Sequence, residues 1–244
     1  MNASKNDRHA LYPTGLKDAP TRHRALRRRM EAPGIVVAPG AYDCITARLV
    51  EVAGFDALYV TGSGVSMSAL GAPDMGALSF GEILDRVRRI CDSVSIPVIA
   101  DADTGYGGPL NVIRTMREFE RAGVSAVQLE DQEWPKKCGH EPRKVASSQE
   151  MEQRIKAAAD ARVDADVMIV ARTDAIASEG FEAALERAAR YREAGADIQG
   201  ERVRFPRGMA RQIVQATAPP VFTQHARNEA NSVQIGRASC RERV

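Results

Sequence analysis

One pattern repeats along most of this chain: a short apolar run, a polar or glycine-rich turn, and then an amphipathic helical segment. The apolar runs have the length and the β-branched composition of buried strands. They occupy residues 35–38, 57–60, 97–100, 126–129 and 167–171. The helical segments occupy residues 45–53, 80–92, 110–122, 148–161 and 181–194. Such regular alternation predicts parallel βα units.

Three of the helical segments end in the dipeptide Ala-Gly, at Gly54, Gly123 and Gly195, where glycine predicts a left-handed C-cap. Because no Gly-rich dinucleotide fingerprint follows the early strands, a closed (β/α)8 TIM barrel is favoured over an open doubly wound sheet. The 244 residues fit one such barrel or two smaller domains, and one domain is favoured. We expect a mobile arm over residues 1–15 and a barrel domain over residues 16–233.

The composition argues against several classes of partner. Hydrophobic residues make up 44% of the chain, charged residues make up 27%, and the net charge of +2 provides no field that attracts nucleic acid or a membrane. The densest basic cluster, Thr21–Met30, is interpreted as the solvated face of a helix with a thin apolar stripe that includes Leu26 and Met30. A small molecule is therefore the expected partner.

The cysteines indicate the compartment. Cys44, Cys91, Cys138 and Cys240 show neither metal-ligand nor paired spacing. No charged-then-apolar leader precedes the first helix, and no apolar run approaches the ~20 residues of a membrane span. These features predict a protein of the reducing cytoplasm.

Carboxylates follow several of the expected strands. In a parallel barrel the residues just beyond the strand ends converge on one mouth, which places Asp101, Asp103 and Glu130 close together. Acids crowded there repel each other unless a cation lies among them, and hard oxygen ligands suit Mg²⁺, with Mn²⁺ as the alternative. A simpler interpretation is that Asp101 and Asp174 cap the helices that follow them and that Glu130 pairs with Lys136.

Two further strand ends suit an anionic ligand. The tetrapeptide Thr61-Gly62-Ser63-Gly64 offers hydroxyls and unhindered backbone N–H groups to a carboxylate or phosphate, although a tight turn explains it nearly as well. Arg172 can hold a carboxylate with its planar fork, or it can neutralise Glu130 and Asp131. Both interpretations place Arg172 in the mouth.

A thiol lies beside an imidazole and two cations in the pentapeptide Lys136-Lys137-Cys138-Gly139-His140. Such surroundings favour a thiolate that moves protons, whereas a cysteine in a loop is otherwise usually inert.

Four segments together carry a family resemblance. They read Asp-Ala-Asp-Thr-Gly-Tyr-Gly at 101–107, Glu-Asp-Gln at 130–132, Lys-Lys-Cys-Gly-His at 136–140 and Ala-Arg-Thr-Asp at 171–174. In order and spacing they resemble the isocitrate lyase and phosphoenolpyruvate mutase superfamily over most of the chain. The Lys-Lys-Cys-Gly-His element is typical of its lyases, in the branch of the methylisocitrate and 2,3-dimethylmalate lyases, and the mutases generally lack this cysteine.

The resemblance implies a Mg²⁺-dependent carbon–carbon lyase. It would cleave a 2-hydroxy di- or tricarboxylate of the methylisocitrate, isocitrate or dimethylmalate type, by retro-aldol chemistry, to pyruvate or glyoxylate and a second carboxylic acid. By the same resemblance Cys138 delivers a proton to the departing carbanion, and Lys136 and His140 tune its loop. The implied substrate-binding residues are Tyr42, Thr61, Gly62, Ser63, Gly139 and Arg172, and the implied metal-binding residues are Asp74, Asp101, Asp103 and Glu130. The family also implies a homotetramer.

The resemblance weakens near the C-terminus. An apolar strand ending in Glu-Ala-Pro is expected there, whereas residues 198–204 read Ile-Gln-Gly-Glu-Arg-Val-Arg, and Glu201 is the family's acid only if it is shifted by one position. His225 is a mouth residue if the seventh strand is in register and a surface histidine otherwise. Residues 234–244 lack apolar periodicity and resemble the translation of a common sequencing adapter. We therefore expect a non-native tail and an incomplete barrel, without an eighth strand, whose first and seventh strands have unpaired edges.

Two alternatives to the lyase stay open. One is an oxaloacetate hydrolase or decarboxylase, or a phosphonate-forming mutase, of the same superfamily, although Cys138 argues against the mutase. The other is an inactive truncated fragment or a module that only binds a metal and a carboxylate.

Overall fold

Eight strands form one closed sheet in the order in which they follow each other along the chain. The computed structural model describes residues 18–136, 144–201, 221–227 and 230–237. The strands are β1 (Gly34–Ala41), β2 (Leu58–Val60), β3 (Val98–Asp101), β4 (Ala126–Glu130), β5 (Met168–Thr173), β6 (Ile198–Glu201), β7 (Val221–Arg227) and β8 (Ala230–Arg237). The helices are α1 (Ala19–Glu31), α2 (Cys44–Val52), α3 (Gly62–Leu70), α4 (Phe80–Ser93), α5 (Pro109–Arg121), α6 (Ser148–Ala161), α7 (Ile176–Glu179) and α8 (Phe181–Glu193).

Strands β1 to β7 run parallel, and this confirms the predicted parallel α/β architecture. Strand β8 departs from a (β/α)8 barrel because it runs antiparallel to both of its neighbours, β7 and β1. The prediction that the first and seventh strands have unpaired edges is wrong, since Gly236 pairs with Ile35 on one side and with Val221 on the other. The natural or foreign origin of residues 234–244 stays a prediction.

The five predicted helices are present, with ends that shift by no more than one residue. Local signals explain their positions: Ser79 and Glu82 form a capping box at the start of α4, and Pro109 begins α5. The expected C-cap glycines Gly54, Gly123 and Gly195 have positive φ angles of 83°, 90° and 114°. Helix α3 was not predicted. It begins at Gly62, directly after β2, and the Thr61 side chain caps it by accepting from the Gly64 N–H at 2.9 Å.

Helix α1 lies against the N-terminal end of the barrel. Its Leu26 and Met30 belong to the apolar cluster that also contains inward-facing strand residues such as Ile99. The interpretation of the basic cluster as a solvated face is wrong for Arg22 and His23, which are only 6% and 2% exposed. Arg22 Nη1 donates to the carbonyls of Cys91 (2.6 Å) and Val94 (2.8 Å), and it thereby ties α1 to the C-terminal end of α4.

The strands are apolar toward their N-terminal ends and polar at their C-terminal ends on the face that lines the barrel. Ile99, Ala126 and Val170 belong to the inner apolar cluster. Because successive side chains on a strand point to opposite faces, Asp101 shares the face of Ile99, and Arg172 shares that of Val170. Glu130 shares the face of Ala126 for the same reason. Within the described part of the chain, no helix combines the length and the apolar character that a membrane span requires.

Candidate active site

Four acids predicted as metal ligands are all buried at the C-terminal end of the barrel. Asp101 and Glu130 end β3 and β4, Asp103 lies two residues beyond Asp101, and Asp74 lies in the loop after α3. Their exposed fractions are 8% or less. Buried carboxylates need cationic or hydrogen-bonding partners, and the structure shows which partners they have.

The turn after β3 holds Asp103 in a conformation that most residues avoid. Asp103 and Tyr106 have φ angles of 51° and 61°, in the left-handed region. Backbone hydrogen bonds keep the turn in place: the Glu130 N–H donates to the Asp103 carbonyl at 2.8 Å, and the Gly105 N–H donates to the Ala102 carbonyl at 2.8 Å. Left-handed backbone at a site residue is strain that the surrounding structure maintains.

Lys136 lies between two of the acids. Its Nζ donates to Asp74 Oδ2 at 2.8 Å and also to Asp103 Oδ1, and the side chain is 2% exposed. Although burial lowers the pKa of Lys136, the neighbouring carboxylates raise that pKa well above its ordinary value, so the ammonium stays charged. The Ser66 hydroxyl lies 3.0 Å from the Ala72 carbonyl and thereby positions the loop that carries Asp74.

Arg172 connects the ends of β4 and β5. Its Nη1 lies 2.7 Å from Glu130 Oε2, and its Nη2 lies 2.6 Å from Asp174 Oδ2. Gln132 Nε2 also donates to Asp174 Oδ2, at 2.7 Å. The alternative interpretation, in which Glu130 pairs with Lys136 and Asp174 caps a helix, is therefore wrong: Glu130 pairs with Arg172, and Asp174 is a partner of Arg172.

The cations beside the buried acids do not fully neutralise them. Burial raises the pKa of Glu130 to about 7, and the charges of Asp101 and Asp174 add to this effect although Arg172 and Lys136 oppose it. Burial also raises the pKa of Asp103 well above its ordinary value. In the described structure, Glu130 Oε1 and Arg172 Nε are buried without a hydrogen-bond partner. These are the properties of a site that receives a polar or charged ligand.

Gly62 shows how closely three of the carboxylates approach each other. A Cβ atom at this position would lie 3.2 Å from Asp101 Oδ2, 3.2 Å from Asp74 Oδ2 and 3.3 Å from Asp103 Oδ1. The described residues do not form a cage of three or more acids, histidines or cysteines arranged around an ion. The Lys136 ammonium lies between two of the acids instead. Hard carboxylate oxygens around one small space nevertheless fit Mg²⁺ chemically.

We expect a Gly62→Ala substitution to lower Mg²⁺ affinity about 10- to 100-fold, which is typical for disturbing groups that position metal ligands. The added methyl group would press on the three carboxylates, whereas the helical backbone at the start of α3 accepts alanine. Titration calorimetry with Mg²⁺ measures the change. Gly81→Ala on α4 is the matched control because its Cβ would meet nothing within 4 Å. Equal affinities for the two variants would show that Gly62 does not border the position expected for a cation.

The other predicted site residues have mixed placements. Thr61 and Gly62 are buried at the start of α3, Ser63 is half-buried, and Tyr42 is partly exposed with its ring packed against Gly64. Cys138, Gly139 and His140 lie outside the described residues. A cavity of about 490 Å³ is lined in part by Thr104, Tyr106 and Trp134, and none of the four acids is among its lining residues.

Sequence reasoning missed the buried network on the far side of Arg172. Asp131 Oδ2 accepts from the Thr173 hydroxyl at 2.7 Å and from the Tyr191 hydroxyl at 2.8 Å. The Asp174 N–H donates to Asp131 Oδ1 at 2.9 Å. The alternation along β4 could have shown that Asp131 faces away from Glu130, but its partners on α8 are more than 50 residues away along the chain.

The family model described as phosphoenolpyruvate phosphomutase matches residues 26–234. The chain belongs to the phosphoenolpyruvate phosphomutase family. The sequence-based recognition of the phosphoenolpyruvate mutase and isocitrate lyase superfamily is thus confirmed.

Three members of the superfamily are similar to this chain. A 2,3-dimethylmalate lyase of Eubacterium barkeri is 52% identical over 174 residues, which cover 71% of this chain and 60% of that protein. A 2-methylisocitrate lyase of Shewanella oneidensis is 48% identical over 160 residues, covering 65% of this chain and 55% of that protein. A crystal structure of 2,3-dimethylmalate lyase superposes with a TM-score of 0.79 at 40% identity, covering 84% of this chain and 69% of that chain. The matched part of this family member thus spans little more than half the length of the two curated lyases.

Proposed function

We propose that the protein is a Mg²⁺-dependent carbon–carbon lyase that cleaves a 2-hydroxy di- or tricarboxylate to a 2-oxo acid and a second carboxylic acid. The observation that carries this proposal is the convergence of three carboxylates on Gly62 at the strand ends, next to a buried arginine. The similarity to 2,3-dimethylmalate and 2-methylisocitrate lyases supports the reaction class.

The described residues have separate proposed roles in metal binding and substrate binding. Asp74, Asp101, Asp103 and Glu130 are the proposed metal-holding groups, directly or through water. When bound, Mg²⁺ supplies stabilisation of negative charge on the oxygen atoms of the forming 2-oxo acid. Arg172, whose Nε has no hydrogen-bond partner among the described groups, supplies a fixed positive charge for a substrate carboxylate. Helix α3 begins at Gly62, and the backbone N–H groups of a first helical turn suit a second carboxylate oxygen.

Cleavage requires two proton movements. The substrate hydroxyl gives its proton to a base, and the carbon–carbon bond breaks to leave a carbonyl group. The electron pair of that bond goes to the departing carbon, which then takes a proton from an acid. We propose that Cys138 delivers that second proton, and that Lys136 and His140 tune the segment that carries it. Lys136 is held by Asp74 and Asp103, so the segment begins at a residue fixed among the acids.

The test is release of pyruvate or glyoxylate from a panel of 2-hydroxy di- and tricarboxylates, with Mg²⁺ and after its removal by a chelator. We expect cleavage that needs the ion and that falls about 100-fold in Cys138→Ser, because a thiol is the better acid. Cys44→Ser is the matched control, since Cys44 is half-buried on α2 and its thiol donates to the Arg89 carbonyl instead. Release undiminished in Cys138→Ser would remove this thiol from the mechanism.

The same panel separates the alternatives. Oxalate and acetate from oxaloacetate would indicate a hydrolase, and interconversion of phosphoenolpyruvate and phosphonopyruvate would indicate a mutase. Binding of Mg²⁺ and oxalate without any turnover would indicate a binding module. We further propose, from the family resemblance, that the protein works as a homo-oligomer, a tetramer by that resemblance, in the cytoplasm.

A further inference from the structure

We infer that Arg187, on the outer helix α8, is a positioning residue of the site: it fixes where the end of β5, with Arg172, lies relative to the chain segment that returns after residue 143. This inference rests on the proposed function for its catalytic consequence. Its structural part stands on contacts of the described residues alone.

Arg187 joins separate parts of the chain through its guanidinium group. Its Nε and Nη2 each lie 2.7 Å from a different oxygen of Glu179, the last residue of α7. Its Nη1 donates to the Ala146 carbonyl at 2.9 Å and lies 3.1 Å from the Tyr191 hydroxyl. The side chain is 9% exposed. A guanidinium group has the flat two-pronged geometry that these partners require.

Asp131 connects the contacts of Arg187 to the strand ends of the site. Arg187 Nη1 lies 3.5 Å from Asp131 Oδ2, the same oxygen that accepts from Tyr191 and Thr173. The other oxygen, Asp131 Oδ1, accepts from the Asp174 N–H. The backbone of Asp131 also takes part, because its carbonyl accepts from the Ala146 N–H at 2.7 Å.

Asp174 completes the connection to the acid cluster. Its carboxylate holds Arg172 Nη2, and Arg172 Nη1 holds Glu130. A continuous series of short contacts therefore runs from α8 to a proposed metal ligand. Removing the Arg187 guanidinium takes away the hydrogen bond to the Ala146 carbonyl and the long ionic contact with Asp131, while Asp131 keeps its hydrogen bonds from Thr173, Tyr191 and Asp174. The part of the network that is expected to move is therefore the pairing of the Asp131 segment with the chain around Ala146.

The single tryptophan of the chain reports on the same region. Trp134 lies in the segment that pairs with the returning chain: the Glu133 N–H donates to the Lys144 carbonyl at 2.9 Å, and Gln132 pairs with Val145. A Cβ at Gly76 would lie 2.5 Å from the Trp134 ring, so the ring packs tightly against that loop. A shift of the segment that Arg187 anchors should therefore change the indole environment.

The test compares Arg187→Met and Arg187→Lys with Arg190→Met. Arg190 is the matched control because it lies one turn further along α8 and pairs with Glu152 at 2.6 Å, away from Asp131. We expect Arg187→Met to shift Trp134 emission and to lower kcat/KM about 10- to 100-fold, mainly through KM, because Arg172 is the substrate-holding group that moves. Arg187→Lys should lose less, and Arg190→Met should match the wild type.

The emission measurement is made below the unfolding midpoint of each variant, so loss of fold is not mistaken for loss of position. Tyr191→Phe, which removes only the hydroxyl that donates to Asp131, is a milder second variant with an expected shift in the same direction. Unchanged Trp134 emission in both Arg187→Met and Tyr191→Phe would overturn the inference. If the wild type cleaves none of the panel substrates, the proposed function fails, and the emission comparison still decides the role of Arg187.

Discussion

Replacing Arg172 with methionine should lower the free energy of unfolding by about 3–5 kcal/mol and abolish the proposed cleavage. Arg172 is 2% exposed, and its charged partners Glu130 and Asp174 are 1% and 3% exposed. Methionine fills most of the volume but leaves two carboxylates without their cation. Urea denaturation followed by circular dichroism gives the free energy of unfolding.

An exposed ion pair between an arginine and an aspartate provides the control for Arg172. Arg89 pairs with Asp85 at 2.8 Å on α4, and their side chains are 68% and 60% exposed. We expect Arg89→Met to change the free energy of unfolding by less than about 1 kcal/mol, because exposed ion pairs contribute little. Similar losses for the two variants would mean that burial does not determine what the Arg172 contacts contribute.

Lys136→Met should destabilise the metal-free protein by about 3–5 kcal/mol, because Asp74 and Asp103 then face each other without the ammonium between them. The loss should become smaller when Mg²⁺ is added, since the ion replaces the missing charge. A ligand that binds only the folded state adds about 2.7 kcal/mol at about 100 times its Kd. Thermal unfolding with and without Mg²⁺ measures both effects.

Lys156→Met, at an exposed position of α6, is the comparison for Lys136. This variant should show the same Mg²⁺-dependent stabilisation as the wild type. The decisive quantity is the difference between the stabilisation of Lys136→Met and that of Lys156→Met. If Mg²⁺ stabilises the two equally, the ion does not bind next to the Lys136 position, and the assignment of Asp74 and Asp103 as metal ligands fails.

Periodicity predicted the elements well where each element depends on its own residues. Helix α6 was predicted with its observed bounds, and the Ser79 and Glu82 pair fixes the start of α4 locally. The convergence of Asp101 and Asp103 with other acids followed from strand direction alone, because the ends of parallel strands share one edge. These are consequences of short-range rules.

The features that sequence reasoning missed depend on packing between distant segments. Arg22 looks like part of a solvated basic cluster until α4 supplies the carbonyls that it reaches, 69 residues further along the chain. Asp131 likewise needs Tyr191 on α8. Strand β8 closes the sheet through pairing on both of its sides, which no property of residues 230–237 alone indicates.

Helix α1 determines by which end of the barrel small molecules could enter and leave the proposed enzyme. Its Leu26 and Met30 belong to the apolar cluster inside the barrel, so this end has a floor. The acids lie at the opposite end. In the proposed reaction the substrate and both products must then pass through the same open end of the barrel. We therefore expect ordered product release, in which the product that lies deeper in the barrel leaves last.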